Sequence, residues 1–290
     1  MAHARIQVGD LDVTVVDNEQ WDEHRAGYNG IARLTSKHFS PSLFVPAFAG
    51  INLEHVLDGM TTGESDDFFE PRIAPMLLSH DGDDTVLLHQ PATPRTLVES
   101  TTRFTVRPTH FIDVSCLIVV RGGEFPFGYL GLFWASYING PMSNAMHFVG
   151  RTPDGIEGWL QLSSIYHGHE STVVGIDDEP ALPLHDQAQR GLFSSFAPAR
   201  FVHPFFFGLF GPMVFAVMFR DAKGIRLSHS PSGGGANVRR DGFNPAWDFQ
   251  YIIDRPEVNK EYGWEAQIVY KPFEGKQDIL DEYRTFSQMR

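Results

Sequence analysis

Tyr166-His167-Gly168-His169-Glu170 places two imidazoles two residues apart, next to a carboxylate. Alternate residues of a strand share a face, so a strand running from Trp159 on to His169 predicts His167 and His169 side by side with Gln161 and Ser163. Paired imidazoles in that position serve as acid and base on a bound substrate, or as two ligands of a divalent metal ion whose third ligand is His229, Glu170 or Asp248. The plainer alternative is a turn with solvated histidines. The cofactor expectation is accordingly none, or that one divalent ion on His167 and His169.

Ser228-His229-Ser230-Pro231-Ser232-Gly233-Gly234-Gly235 sets a histidine beside hydroxyls and three glycines. A phosphate-binding loop would run into a helix, and no helical pattern follows, so the segment reads as a loop bordering a pocket or as a surface turn. Further on, Trp247, Phe249 and Tyr251 alternate with Asp248 and Gln250. The polar set on the second face is either solvated or lines a cleft in a curved sandwich, where a sugar would sit. Tyr137 and Asn139 share the face of their strand opposite the core residue Trp134, within reach of a ligand's hydroxyls. Glu265, beside Trp264, is an exposed edge residue or a general base; Glu99 and Arg103 form a solvated pair or supply such a base. Neither a Gly-x-Ser-x-Gly nucleophile nor a cysteine motif is present, so classical acyl transfer is not indicated.

The elements that must position these groups are strands. Leu97 to Val106, Phe111 to Val120, Tyr129 to Asn139, Trp159 to His169, Met213 to Phe219, Ile225 to His229, Ala246 to Ile253 and Trp264 to Tyr270 are short β-type runs between turn signals. With no 3.6-residue periodicity between them, they predict antiparallel sheets and an all-β chain, a large β-sandwich over residues 1–290 read as one domain. Phe201 to Phe219 reads as a turn followed by one buried strand, and Asp177 to Pro204 as a loop-rich excursion. One helix is expected, over about 277–289, where Ile279, Leu280, Tyr283, Phe286 and Met289 share a face behind a possible cap at Asp278.

Composition narrows the partners. The 290 residues carry 23 Lys and Arg against 36 Asp and Glu, a net charge of −13, which argues against nucleic acid. No membrane span of about 20 clean apolar residues is seen, and no signal peptide, so a cytoplasmic location is expected. The single cysteine, Cys116, rules out an internal disulfide and reads as a small core hydrophobe. The 24 Phe, 8 Tyr and 5 Trp are the unusual feature; most fall at alternating core positions, which leaves Tyr137, Tyr166 and Trp247 as ligand platforms.

Gly27-Tyr28-Asn29-Gly30-Ile31-Ala32-Arg33-Leu34, Phe44-Val45-Pro46-Ala47-Phe48-Ala49-Gly50 and Phe69-Glu70-Pro71-Arg72 resemble the opening strands of the galactose mutarotase-like supersandwich, the fold of aldose epimerases and of several polysaccharide lyase and glycosidase domains. The resemblance implies a carbohydrate-active enzyme using His and carboxylate acid-base chemistry for epimerisation, elimination or hydrolysis. It makes Arg72 an anchor for an anionic or hydroxylated substrate. The alternative is a non-catalytic β-sandwich that binds a sugar or a small apolar ligand. The catalytic candidates are His167, His169, Asp248 and Glu265; the substrate-binding candidates are Arg72, Tyr137, Asn139, Tyr166, His229, Trp247 and Gln250.

Overall fold

The computed structural model describes residues 2–60, 67–179, 181–185, 191–238 and 242–289. β1 (His3–Val8), β2 (Leu11–Val16) and β3 (Gly30–Ser36) pair in sequence as a small antiparallel sheet. A second, 15-stranded sheet contains β4 (Asn52–Leu57), β5 (Leu77–His80), β6 (Thr85–Gln90), β7 (Val98–Arg107), β8 (Phe111–Val120), β9 (Tyr129–Ala135), β10 (Met146–Arg151) and β11 (Glu157–Leu162). It continues with β12 (Thr172–Gly175), β13 (Phe196–Phe201), β14 (Phe205–Phe210), β15 (Met213–Phe219), β16 (Ile225–Ser230), β17 (Ala246–Asp254) and β18 (Glu261–Pro272). Its order is β4-β9-β17-β16-β12-β13-β10-β14-β15-β18-β8-β7-β6-β5, with β11 attached to β10. The β12–β13 ladder is parallel and the other ladders are antiparallel. The architecture is the expected all-β sandwich with a C-terminal helix.

A sheet this wide buries its apolar surface by folding back on itself. Trp134 of β9 and Phe249 of β17 stack at 5.1 Å, and each meets Trp264 of β18 edge-on at 5.1 Å. Phe219 of β15 closes the group, 4.8 Å from Phe249. The alternation that sends Trp134, Trp247 and Phe249 into this core turns Phe133, Ala135, Asp248 and Gln250 to the outer face of the same strands. Loops carrying Tyr28, Val45, Phe48 and Phe193 cover that outer face, so its polar groups are roofed over and withdrawn from solvent.

Several segments differ from expectation for identifiable reasons. β11 stops at Leu162, and Tyr166 to His169 form a turn, so His167 and His169 do not share a strand face. The stretch before Met213 is itself a strand, β14, in a hairpin with β15; its Phe-Phe-Phe-Gly-Leu-Phe run is buried on both faces and therefore does not alternate. Phe69-Glu70-Pro71-Arg72 enters a short helix, α1 (Glu70–Ile73), and does not form a strand. The 177–204 excursion, in part outside the described residues, contains β13. The C-terminal helix α2 (Lys276–Gln288) starts behind Gly275 with no side-chain cap; Asp278 instead accepts a hydrogen bond from Lys271 at 2.9 Å. Glu99 pairs with Arg121, and Arg103 with Asp81. Among the described residues no helix is long and apolar enough to cross a membrane.

Candidate functional site

The central outer-face cavity has a volume of about 270 Å³ and lies over β4, β9, β16 and β17. A bulge creates its chemistry. Leu53 of β4 pairs with Trp134 of β9, yet the next partnered residue is His55, opposite Phe133, which leaves Glu54 as an extra residue. A strand with strict alternation would send Glu54 and His55 to opposite faces; the inserted residue lets both line the cavity. On β17 ordinary alternation supplies Asp248.

Glu54 and Asp248 are both buried carboxylates, and each holds a different set of partners. Glu54 takes an ion pair from Arg72 Nη1 at 2.8 Å and the Tyr137 hydroxyl at 2.8 and 2.9 Å to its two oxygens. Burial raises its pKa above the ordinary carboxylate value, while the Arg72 charge and the Tyr137 hydroxyl pull it back down. Among the described residues no cation pairs with Asp248. Its Oδ1 accepts the Ser136 N–H at 3.0 Å and its Oδ2 the Ser230 hydroxyl at 2.8 Å. Burial raises its pKa well above the usual range, and the charge of Glu54 adds to the rise. Burial thus raises the pKa of both acids of the cavity, and they differ in what opposes it: Asp248 has only neutral donors among the described residues, whereas Arg72 and the Tyr137 hydroxyl hold the rise of Glu54 down.

The rest of the wall is aromatic. His55 is stacked on Phe68 at 4.0 Å and ringed by Phe69, Phe133 and Phe193. Burial, and then the Arg72 charge, holds its imidazole well below its usual pKa and so neutral. Burial also raises the Tyr137 phenol. The glycine loop packs directly on that ring: a Cβ at Gly233, whose φ is 125°, would lie 3.3 Å from Tyr137 Cε1. At the mouth, His167 Nε2 lies 2.8 Å from Ser232 Oγ, and partial burial lowers its pKa.

The sequence candidates therefore separate. Asp248, Tyr137 and His167 line the cavity, and Arg72 reaches it through Glu54 while its guanidinium lies 3.9 Å over the Tyr28 ring. His169 stands apart, against the exposed Tyr166 at 4.9 Å. Glu265 is elsewhere, paired with Arg220 at 2.8 Å on β18. Trp247 is core, its indole N–H bound to the Asn144 carbonyl at 2.8 Å. His229 joins that same carbonyl through Nε2 and accepts the Ser164 N–H at Nδ1; its burial lowers its pKa to about 4, which suits a neutral structural imidazole. Gln250 lies in a buried polar layer with Ser228 and Thr172, and Asn139 reaches the Ser42 carbonyl. For a metal, three donors must converge; among the described residues no such group of His, Cys, Asp or Glu exists, and His167 and His169 point to different partners.

Glu54 and His55 were absent from the sequence candidates. Their signal was the consecutive polar pair Glu54-His55, which breaks the apolar–polar alternation begun by Ile51-Asn52-Leu53, as a bulge does.

No protein-family model matches the chain, and no curated protein is similar to it in sequence. Solved structures are similar in fold. A candidate aldose 1-epimerase from Escherichia coli K12 aligns over 93% of this chain and 99% of its own at 11% identity, with a TM-score of 0.51. A GalM/aldose epimerase homologue from C. elegans aligns over 93% and 98% at 9% identity, TM-score 0.50. A protein from Synechocystis aligns over 93% and 96% at 7% identity, TM-score 0.51. The chain has the galactose mutarotase-like supersandwich fold.

Proposed function

We propose that this protein is a carbohydrate-active enzyme that works by acid-base chemistry on a sugar or sugar derivative held in the Glu54–Asp248 cavity. The observation that carries this reading is the pair of buried carboxylates in one aromatic-walled hollow, one held by a cation and the other by neutral donors. Asp248, which burial drives toward its protonated form, is the proton donor. Glu54, biased to the charged form by Arg72, is the base, with the Tyr137 hydroxyl between it and the ligand. His167 orients the substrate at the mouth. Ring-opening epimerisation, β-elimination and glycoside hydrolysis all need one group to give a proton while another takes one. The fold supports the sugar class through structures described as aldose epimerases, although fold alone does not fix chemistry.

One observation favours a second reading. Both oxygens of each carboxylate already have protein partners, as they would in a sugar-binding sandwich that performs no chemistry. A screen of monosaccharides, glycosides and uronate-containing oligosaccharides for turnover, alongside calorimetric binding, separates the two. Turnover that falls in His167→Ala supports the enzyme; binding without turnover of any compound supports the second reading, and neither binding nor turnover overturns both.

A further inference from the structure

The cavity has a larger neighbour. An open groove of about 790 Å³ is lined by Asn18, Glu19, Gly27, Phe69, Arg72 and the 73–77 segment. Phe69 lines both hollows, and Arg72 in the groove wall grips Glu54 in the cavity wall at 2.8 Å, so the two meet across one ion pair. The partition between them is α1, and it is held firmly. Asn18 Nδ2 donates to the carbonyls of Pro71 and Ala74, and Gln90 Nε2 donates to the same two oxygens. Glu70 accepts the backbone N–H groups of Arg95 and Thr96.

Size distinguishes the two hollows. The inner cavity has room for about nine waters at ~30 Å³ each, enough for one pyranose ring and little more. The groove is about three times as large and has a mixed lining. Ile73 and Leu77 are 63% and 59% exposed, beside Pro75 and Met76, while Glu19 and Arg72 add polar groups to the lining. A pyranose presents the same mixture, an apolar C–H face and a rim of hydroxyls. Large apolar side chains left open to water next to a ligand cavity mark a binding surface.

We propose that this groove is the subsite for the next residues of a glycan chain, so that the substrate is an oligosaccharide whose reacting unit occupies the cavity, with the chain continuing over Arg72 and Phe69 along Ile73 and Leu77. This rests on the carbohydrate reading above.

The test uses ladders of one to four residues built on glucose, galactose and uronic acids, with the full chain and the variant Ile73→Ser/Leu77→Ser. Both side chains are exposed, so the variant keeps the fold. The expected result is that kcat/KM rises about tenfold or more from one residue to three, and that the double variant loses that gain through KM while turnover of the single sugar is unchanged. Ile73→Val retains it. Equal kcat/KM along the ladder, or a variant that slows short and long substrates alike, overturns the subsite. If no compound is turned over, the enzyme reading is what fails, and the dissociation constants of the same ladder decide the groove: a fall with chain length that the double variant removes supports it, and a flat series or no binding overturns it.

Discussion

Asp248→Asn separates a carboxylate kept for chemistry from one kept for structure. Asparagine is nearly isosteric, so its Oδ1 still accepts the Ser136 N–H now at 3.0 Å, and its amide N–H₂ donates to the Ser230 oxygen now at 2.8 Å. Packing and hydrogen bonding are preserved. What disappears is the ionisable proton in a fully buried place. Because burial raises the native pKa of Asp248 above its unfolded value, the native chain keeps a proton that the unfolded chain has lost; this group's contribution to stability therefore falls as pH rises from about 3.9 toward its native pKa. Asparagine carries no such slope. Leaving a buried polar group poorly solvated costs about 1–3 kcal/mol, so the variant should be more stable than the parent at pH 8 by about that amount, or about 2 °C in Tm for each kcal/mol, with the difference vanishing below pH 4. Thermal unfolding from pH 4 to 9 measures it, and turnover on any sugar found active should drop at least about 100-fold. A variant less stable than the parent at pH 8 refutes the desolvation argument, and one that is equally active refutes the catalytic role.

Three further outcomes follow from the same contacts. Tyr137→Phe removes the hydroxyl that Glu54 accepts at 2.8 and 2.9 Å, so Glu54 holds its proton to higher pH and the acidic limb of the rate profile moves up; stability falls by about 1–2 kcal/mol in denaturant titration. Arg72→Gln leaves Glu54 buried without its cation and should cost about 3–5 kcal/mol at pH 8, a loss that shrinks as the pH falls and Glu54 protonates. His110, 3.5 Å away, and the Lys271 ammonium hold Glu282 down to about 2, which favours folding above the unfolded pKa of about 4.3. Glu282→Gln should therefore cost about 1–2 kcal/mol at pH 7, with the gap between the two proteins closing as pH falls from about 4.3 to about 2.

How much of this was legible depended on alternation. Where one face met the core and the other did not, period two was visible: β7 alternates residue by residue and β8 does so as far as Ile118, while in β17, buried throughout from Ala246 to Gln250, the polar–apolar order of Trp247-Asp248-Phe249-Gln250 still set Asp248 opposite the core face. Where a strand was buried on both faces, as in β14, the pattern vanished and the segment read as a turn. Glu54 was hidden because a bulge breaks the periodicity that would have revealed its face. His169 and Glu265 were overvalued for their chemistry alone, since nothing in their local sequence showed that one sits in a turn against Tyr166 and the other beside Arg220. Arg72 was picked out through a resemblance to a strand, whereas it stands on α1, where its partner is a protein carboxylate.

The most direct measurement is the turnover number of Glu54→Gln on a sugar that the parent converts, with binding of that sugar followed by calorimetry in the same preparation. If Glu54 is the base, kcat falls at least about 100-fold while the dissociation constant changes by less than about tenfold. Unchanged kcat in a folded Glu54→Gln protein contradicts the assignment of the cavity as the catalytic site.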